Sequence, residues 1–204
     1  MPMATQKKQK QTKSESISES KGQNTGGMGT LIEALVADLA NHNDAVRVKA
    51  RHSLVAMGKA AVPSLIGALK SKKNLMRWEA AKALGEIGDP KTALALVEAL
   101  EDEEFDVRWL AAEGLIKMNI NALKPLLQAL ENRGDSFFLQ EGAHHVFHDL
   151  AKGALRKYLA PVLAALERLE PGEEVPWVAP HEMVVEVPWA ARHALDMIEK
   201  AKKL

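Results

Sequence analysis

The sequence predicts an all-α fold, an α–α superhelix (α solenoid) built from about five stacked helical hairpins. Twelve-residue segments of similar sequence recur along the chain, beginning at Val46, Met76, Val107, Phe138 (a weaker copy) and Val187. Successive copies begin 30, 31, 31 and 49 residues apart. A period of about 20–50 residues is typical of solenoids, because a single hairpin cannot bury its apolar face and must stack on its neighbours.

Each repeat has two successive segments with apolar residues at helical spacing. In the first segment, two apolar residues lie four apart: Leu35/Leu39, Leu65/Leu69, Leu96/Leu100, Leu126/Leu130 and Val162/Leu166. In the second segment, a core row at i, i+4 and i+8 has Ala or Gly in the middle: Val46/Ala50/Leu54, Met76/Ala80/Leu84, Val107/Ala111/Leu115, Phe138/Gly142/Val146 and Val187/Ala191/Leu195. We therefore expect helix pairs over residues 31–60, 61–90, 91–121, 122–153 and 154–202.

Residues that favour helix ends lie at the borders of the second segments. The expected N-caps are Asp44, Asn74 and Ser136, whose side chains can accept a hydrogen bond from a free backbone N–H. Gly58 and Gly88 follow two of the second segments, where a left-handed residue commonly ends a helix.

The first 29 residues differ in composition from the predicted repeat domain, residues 30–204. They are rich in Lys, Ser, Gln and Gly, and Ile17 is their only branched aliphatic residue. Such a segment cannot bury enough apolar surface to offset its ordering entropy, so we expect it to be disordered. Its net charge is +3, which leaves −3 for the rest of the chain. The tail either makes weak contact with nucleic acid or an acidic partner, or only aids solubility.

The overall composition argues against several classes of protein. Lys+Arg and Asp+Glu number 27 each, so the net charge is zero, whereas nucleic-acid-binding domains usually carry a basic excess. The chain has no Cys, which excludes disulfides, thiolate metal sites and cysteine nucleophiles. No apolar stretch suits a secretory signal or a membrane span, so we expect a cytoplasmic protein without membrane contact.

The repeated segments resemble HEAT-like repeats, in the short form of about 30 residues that is named after phycobilisome lyases. The matching segments are Asp44–Gly58, Asn74–Pro90 and Asp106–Met118, which share a polar cap, an apolar residue followed by Arg, two small residues and then Leu. The resemblance covers residues 31–202, although the last two repeats keep only the apolar pattern. It implies a helical solenoid, and its members include protein-binding scaffolds, bilin lyases and metal-dependent hydroxylases.

The fifth repeat contains an insertion, which we place at residues 170–186. Val162 and Val187 are 25 residues apart, whereas the corresponding distance is 11 or 12 residues in the other repeats. Three prolines in the insertion predict a loop rather than a helix. The loop carries Trp177, His181 and Glu182, and it either caps the open end of the solenoid or contacts a ligand or partner.

The second helices are expected to line the concave face of the solenoid. Residues two beyond each core start form one column there: Val48, Trp78, Trp109, Gln140 and Trp189. Residues six beyond form the adjacent column, which Arg192 flanks: His52, Lys82, Glu113, His144 and His193. Since Trp and Arg are favoured interface anchors, this face is the candidate binding surface. The alternative is that each Trp packs against the neighbouring repeat.

Three arginines lie one residue past the core start in the first three repeats, at Arg47, Arg77 and Arg108. We expect a structural ladder in which each guanidinium pairs with a carbonyl or with an acidic residue such as Asp44 or Asp106. A row that binds phosphate groups is the alternative.

The fourth repeat contains a cluster of potential metal ligands, Glu141, His144, His145 and His148. On a helix these residues form i,i+3 and i,i+4 pairs, and imidazole and carboxylate groups at such spacing can bind a divalent metal. A pH-sensitive polar patch and incidental histidines are the alternatives. His145 falls in a column of small residues, so we expect it to face a repeat interface.

These observations predict a non-catalytic scaffold that binds a protein or peptide on its concave face and needs no cofactor. No Gly-rich phosphate loop or nucleophile elbow is present in the sequence. The first alternative is a metal-binding protein or hydroxylase with a His/Glu site in the fourth repeat. The second, implied by the resemblance, is a bilin lyase or tetrapyrrole chaperone subunit.

Overall fold

The computed structural model of the chain describes residues 27–167 and 180–201, without the side chains of residues 180–186. This part of the chain forms ten α-helices and no strand, which confirms the predicted all-α fold. The helices are α1 (27–38), α2 (Asp44–Met57), α3 (Val62–Ala68), α4 (Asn74–Ile87), α5 (Ala93–Ala99), α6 (Phe105–Met118), α7 (Ile120–Arg133), α8 (Phe137–Leu150), α9 (Arg156–Glu167) and α10 (Pro180–Ala201).

Two rows of stacked helices build the solenoid. The second helices of the first four pairs, α2, α4, α6 and α8, pack on one another in order, and α5 packs on α7 in the other row. Leucines and alanines from both rows are fully buried between them. The surface formed by α2, α4, α6 and α8 is called the second-helix face below. None of the helices in the described ranges has the length and apolar character that crossing a membrane requires.

Small residues allow α4 and α6 to pack closely. A Cβ on Gly85 would lie 3.1 Å from the Cα of Gly114, and a Cβ on Gly114 would lie 2.9 Å from Leu96 Cδ1. Ala80 and Ala111, the middle residues of the two core rows, are fully buried. Larger side chains here would push the helices apart, because backbone atoms on one side cannot move independently.

The second helices begin one residue earlier relative to their caps than the sequence suggested. The N-caps are Asn43, Lys73, Glu104 and Ser136. Asn43 accepts a hydrogen bond from the Ala45 N–H and Ser136 accepts one from the Leu139 N–H. The prediction is therefore correct for Ser136 and wrong for Asp44 and Asn74, which are the first helical residues.

This offset exposes an error of one residue in the predicted core row of the fourth repeat. Counted from the caps, the row equivalent to Val107/Ala111/Leu115 is Leu139/Ala143/Phe147, and all three of its residues are 0% exposed. Phe138, which the sequence pattern placed in the core, is 39% exposed. The reason is one additional residue in the turn before α8, since the second helices begin at Asp44, Asn74, Phe105 and Phe137.

The last helix pair departs from the regular stack. Helix α10 packs mainly on α7 and α9 instead of continuing the row on α8. Its antiparallel alignment with α7 is marked by the ion pairs Lys124–Glu199 and Glu131–Arg192. The prediction that α10 extends the second-helix face is therefore wrong, because the buried row Val187/Ala191/Leu195 packs in the other row of helices.

Two predicted boundaries also change. The predicted disordered tail extends to residue 29, but α1 already begins at residue 27. The predicted loop 170–186 overlaps α10 from Pro180 onward, so its last seven residues are helical. The remainder of the tail and of the loop lies outside the described residues.

Candidate functional site

An open cleft of about 440 Å³ lies between α6 and α8 on the second-helix face. We call it the α6–α8 cleft. The residues that line it are Phe105, Arg108, Trp109, Ala112, Phe138, Glu141, Gly142, His144, His145 and His148. A concave site with apolar walls and a few polar groups is the usual form of a small-molecule site.

Three aromatic side chains form the apolar wall of the α6–α8 cleft. The rings of Phe105 and Trp109 lie on one side of α6, with centroids 6.3 Å apart, and Phe138 comes from the start of α8. Their residues are 57%, 47% and 39% exposed, respectively. Three large aromatic residues open to solvent around one cleft are unusual on a surface that has no binding role.

Two histidines on the α8 side of the cleft make different contacts. His145 packs on Trp109, with ring centroids 4.5 Å apart, and its Nε2 lies 3.2 Å from Glu113 Oε1. It therefore contacts the neighbouring repeat as predicted, although Val146, and not His145, occupies the column of small residues. His144 Nε2 is buried without a hydrogen-bond partner in the described part, 3.9 Å from Glu167 Oε1.

The predicted metal ligands of the fourth repeat do not converge. The rings of His144 and His148 are 6.1 Å apart, whereas His145 turns toward Trp109 and Glu113. Within residues 27–167 and 180–201, no three His, Asp or Glu side chains are arranged to hold a metal ion. The Glu141, His144, His145 and His148 side chains instead line the wall of an open cleft.

The arginine ladder is present, and each member binds the backbone in the same way. The Nη1 groups of Arg47, Arg77 and Arg108 donate to the carbonyl six residues earlier, at 2.8, 2.9 and 2.9 Å. In α8 the equivalent residue is Gln140, whose Nε2 donates to the Gly134 carbonyl. Gln140 therefore belongs to the arginine column, and its predicted place in the tryptophan column is wrong because of the register error.

The carboxylate partners of this ladder differ from repeat to repeat. Arg47 pairs with Asp44 and with the buried Glu79, and Arg77 pairs with Asp102 and Glu103. Arg108 has no carboxylate partner among the described residues. Its guanidinium carbon instead lies 4.1 Å from the Phe138 ring centroid and 5.6 Å from that of Phe105.

Two charged groups in the described part have shifted pKa values. The pKa of Arg77 is raised, chiefly by its hydrogen bond to Asp102 and also by Glu103. The pKa of Asp149, beside His148, is lowered, chiefly by its hydrogen bond to Lys152. Both groups are therefore charged at neutral pH, and the stabilisation by Asp149 is lost only as the pH falls through its lowered pKa.

The other predicted binding residues lie away from the cleft. Trp78 is half-buried near the N-terminal ends of α2 and α6, with Lys82 Nζ 4.7 Å from its ring centroid. His52 is exposed on α2.

Helix α10 separates another group of predicted residues from the cleft. The Trp189 and His193 rings stack 5.4 Å apart on α10, where Arg192 pairs with Glu131. Trp177 lies outside the described residues, as do the side chains of His181 and Glu182.

Sequence reasoning missed three residues of the α6–α8 cleft. Phe105 and Phe138 were overlooked because one is the first residue of its helix and the other was placed in the core. Arg108 was included only in the structural ladder. A signal for it was present, because the turn before the fourth second helix lacks the acidic residues that precede α6.

Comparison with known proteins places the chain in a family of repeat proteins. A family model described as HEAT repeats matches residues 31–116 and 62–144, which together cover more than half of the chain. The chain therefore belongs to the HEAT repeat proteins, and the predicted resemblance is confirmed.

One curated relative extends this result. The chain is 37% identical over 90 residues to the bilin biosynthesis protein RpcF of Synechococcus sp. (strain WH8020). The match covers 44% of this chain and 43% of the relative, so the chain corresponds to less than half of that protein's length.

Proposed function

We propose that the chain binds a bilin, a linear tetrapyrrole, in the α6–α8 cleft and takes part in bilin biosynthesis as a binding component. The observation that carries the proposal is the cleft itself, which combines aromatic walls with a guanidinium that has no carboxylate partner in the described part. The relative named for bilin biosynthesis supports the same ligand class.

The chemistry of the cleft fits a flat conjugated ligand with both donors and acceptors. The rings of Trp109 and Phe138 can stack on a conjugated pyrrole system. Glu141 offers carboxylate oxygens to pyrrole N–H groups, and Arg108 offers donors to the propionate groups of a bilin. The chain has no Cys, so a thioether to its own side chains is excluded and the bilin would be held non-covalently.

Replacing Trp109 by alanine is expected to weaken bilin binding about tenfold or more, because a central aromatic anchor is removed. Biliverdin titrated into the purified protein provides the measurement, through its visible absorbance change and induced circular dichroism. Trp189→Ala is the matched control, since Trp189 is also exposed but lies on α10 outside the cleft. Absence of saturable biliverdin binding to the unmodified protein would refute the proposal.

A polypeptide partner is the second candidate for the same face. Phe137, at the first position of α8, is 61% exposed, and Phe105, at the first position of α6, is 57% exposed. These rings extend the apolar surface beyond the cleft, and HEAT-type solenoids offer long surfaces that bind proteins. Capture of one partner that is lost with Phe137→Ser, together with no bilin binding, would favour this candidate.

A further inference from the structure

We infer that Arg108 is the residue that selects a ligand with a free carboxylate group, an assignment that rests on the proposed bilin-binding function. The α6–α8 cleft would then discriminate between a bilin with ionised propionates and the same bilin with esterified propionates. The inference comes from a comparison of equivalent arginines within this one chain.

Arg77 shows how an arginine at this position of the repeat is satisfied. Its Nη1 donates to the Ser71 carbonyl at 2.9 Å, which leaves the edge formed by Nε and Nη2. That edge binds the Asp102 carboxylate through two hydrogen bonds, from Nε at 2.7 Å and from Nη2 at 3.0 Å. A guanidinium edge facing a carboxylate in this bidentate way gives one of the stronger side-chain interactions in proteins.

Arg108 has the same backbone anchor but lacks the carboxylate. Its Nη1 donates to the Asp102 and Glu103 carbonyls at 2.9 and 3.2 Å. Its Nε is buried without a hydrogen-bond partner, and its Nη2 makes no hydrogen bond or ion pair with the described residues. The unpaired edge is therefore the one that binds a carboxylate in the preceding repeat.

Packing of α10 explains why this chain does not supply the missing carboxylate. Asp102 lies three residues before α6, and the residue three before α8 is Gly134. A Cβ on Gly134 would lie 2.6 Å from the Leu130 carbonyl oxygen and 2.7 Å from Pro188 Cγ of α10. No side chain fits there, so the donors of Arg108 stay available in a cleft that is open to a ligand.

The aromatic neighbours keep Arg108 in place for this role. The Phe138 ring lies over its guanidinium and Phe105 lies nearby, so the charge is fixed between apolar surfaces. A cation that is partly removed from water binds a carboxylate more strongly than an exposed one, because less solvent competes for its hydrogen bonds.

The test compares biliverdin with biliverdin dimethyl ester on the unmodified protein and on Arg108→Gln. Glutamine is the matched substitution, because Gln140 already makes the equivalent backbone hydrogen bond in α8 without a charge. We expect the unmodified protein to prefer biliverdin by about tenfold, and Arg108→Gln to lose about tenfold in affinity for biliverdin only, as for a charged hydrogen bond. Arg133→Gln, which removes a positive charge outside the cleft, should leave both affinities unchanged.

The outcomes separate this inference from the proposed function. If neither ligand binds the unmodified protein, the proposed function fails. If both ligands bind it equally and Arg108→Gln binds them as well, bilin binding stands and the role of Arg108 is wrong. Equal losses for both ligands in a folded Arg108→Gln protein also contradict selection of the carboxylate. Should Arg108→Gln not fold, Arg108→Lys is used, and it must keep the preference for biliverdin because it keeps the charge.

Discussion

Replacing Phe147 by alanine is expected to lower the free energy of unfolding by about 4 kcal/mol, whereas Phe138→Ala should cost less than about 1 kcal/mol. Phe147 is 0% exposed in the core of α8, and its loss leaves a cavity that the packed Leu and Ala side chains around it cannot fill. Phe138 is 39% exposed at the edge of the cleft. Urea denaturation followed by circular dichroism at the helix band measures both variants.

These two phenylalanines decide between two core registers for the fourth repeat. The sequence pattern alone placed Phe138 in the core row, and the structure places Leu139, Ala143 and Phe147 there. A larger loss of stability from Phe138→Ala than from Phe147→Ala would contradict the structural register and restore the predicted one.

The second large effect is expected at a buried ion pair. Glu79 is 1% exposed, and its carboxylate lies 3.0 Å from Arg51 Nε and 3.4 Å from Arg47 Nε. Glu79→Gln should lower the free energy of unfolding by about 3–5 kcal/mol, because it leaves the buried Arg51 with an uncompensated charge in the protein interior. The side-chain shape is nearly unchanged, so the loss of charge is the main cause.

Glu103→Gln is the matched control for Glu79. Glu103 also pairs with an arginine, at 2.9 Å from Arg77 Nη2, but its side chain is 78% exposed. An exposed ion pair contributes about 0–1 kcal/mol, because water and salt screen it. Equal effects of the two substitutions in urea denaturation would show that burial does not determine the contribution of the Glu79 ion pair.

Most of the fold could be predicted because the repeats state it several times. Small residues at the middle of each core row and leucines four apart appear in successive repeats, so an ambiguity in one copy is resolved by the others. The fourth repeat was the exception. One additional residue before α8 shifts every later position by about 100° around the helix, and the sequence offered two adjacent phenylalanines, Phe137 and Phe138, that obscured the shift.

The candidate site could be predicted only in part. Trp109, Glu141, His144, His145 and His148 were all identified as potential binding residues, and they do line the α6–α8 cleft. The metal arrangement was not realised in the described part, because residues at helical spacing share a face without their side chains turning toward one point.

The sequence by itself determined the all-α class, the stacking of helix pairs and the arginine ladder, because these follow from local periodicity repeated along the chain. Only the tertiary structure decided where α10 packs and therefore which groups are left unpaired. Placement of α10 on α7 removed Trp189 and His193 from the second-helix face, and it closed the space beside Gly134. Such contacts join residues far apart in sequence, and no local pattern records whether an arginine such as Arg108 will find its carboxylate.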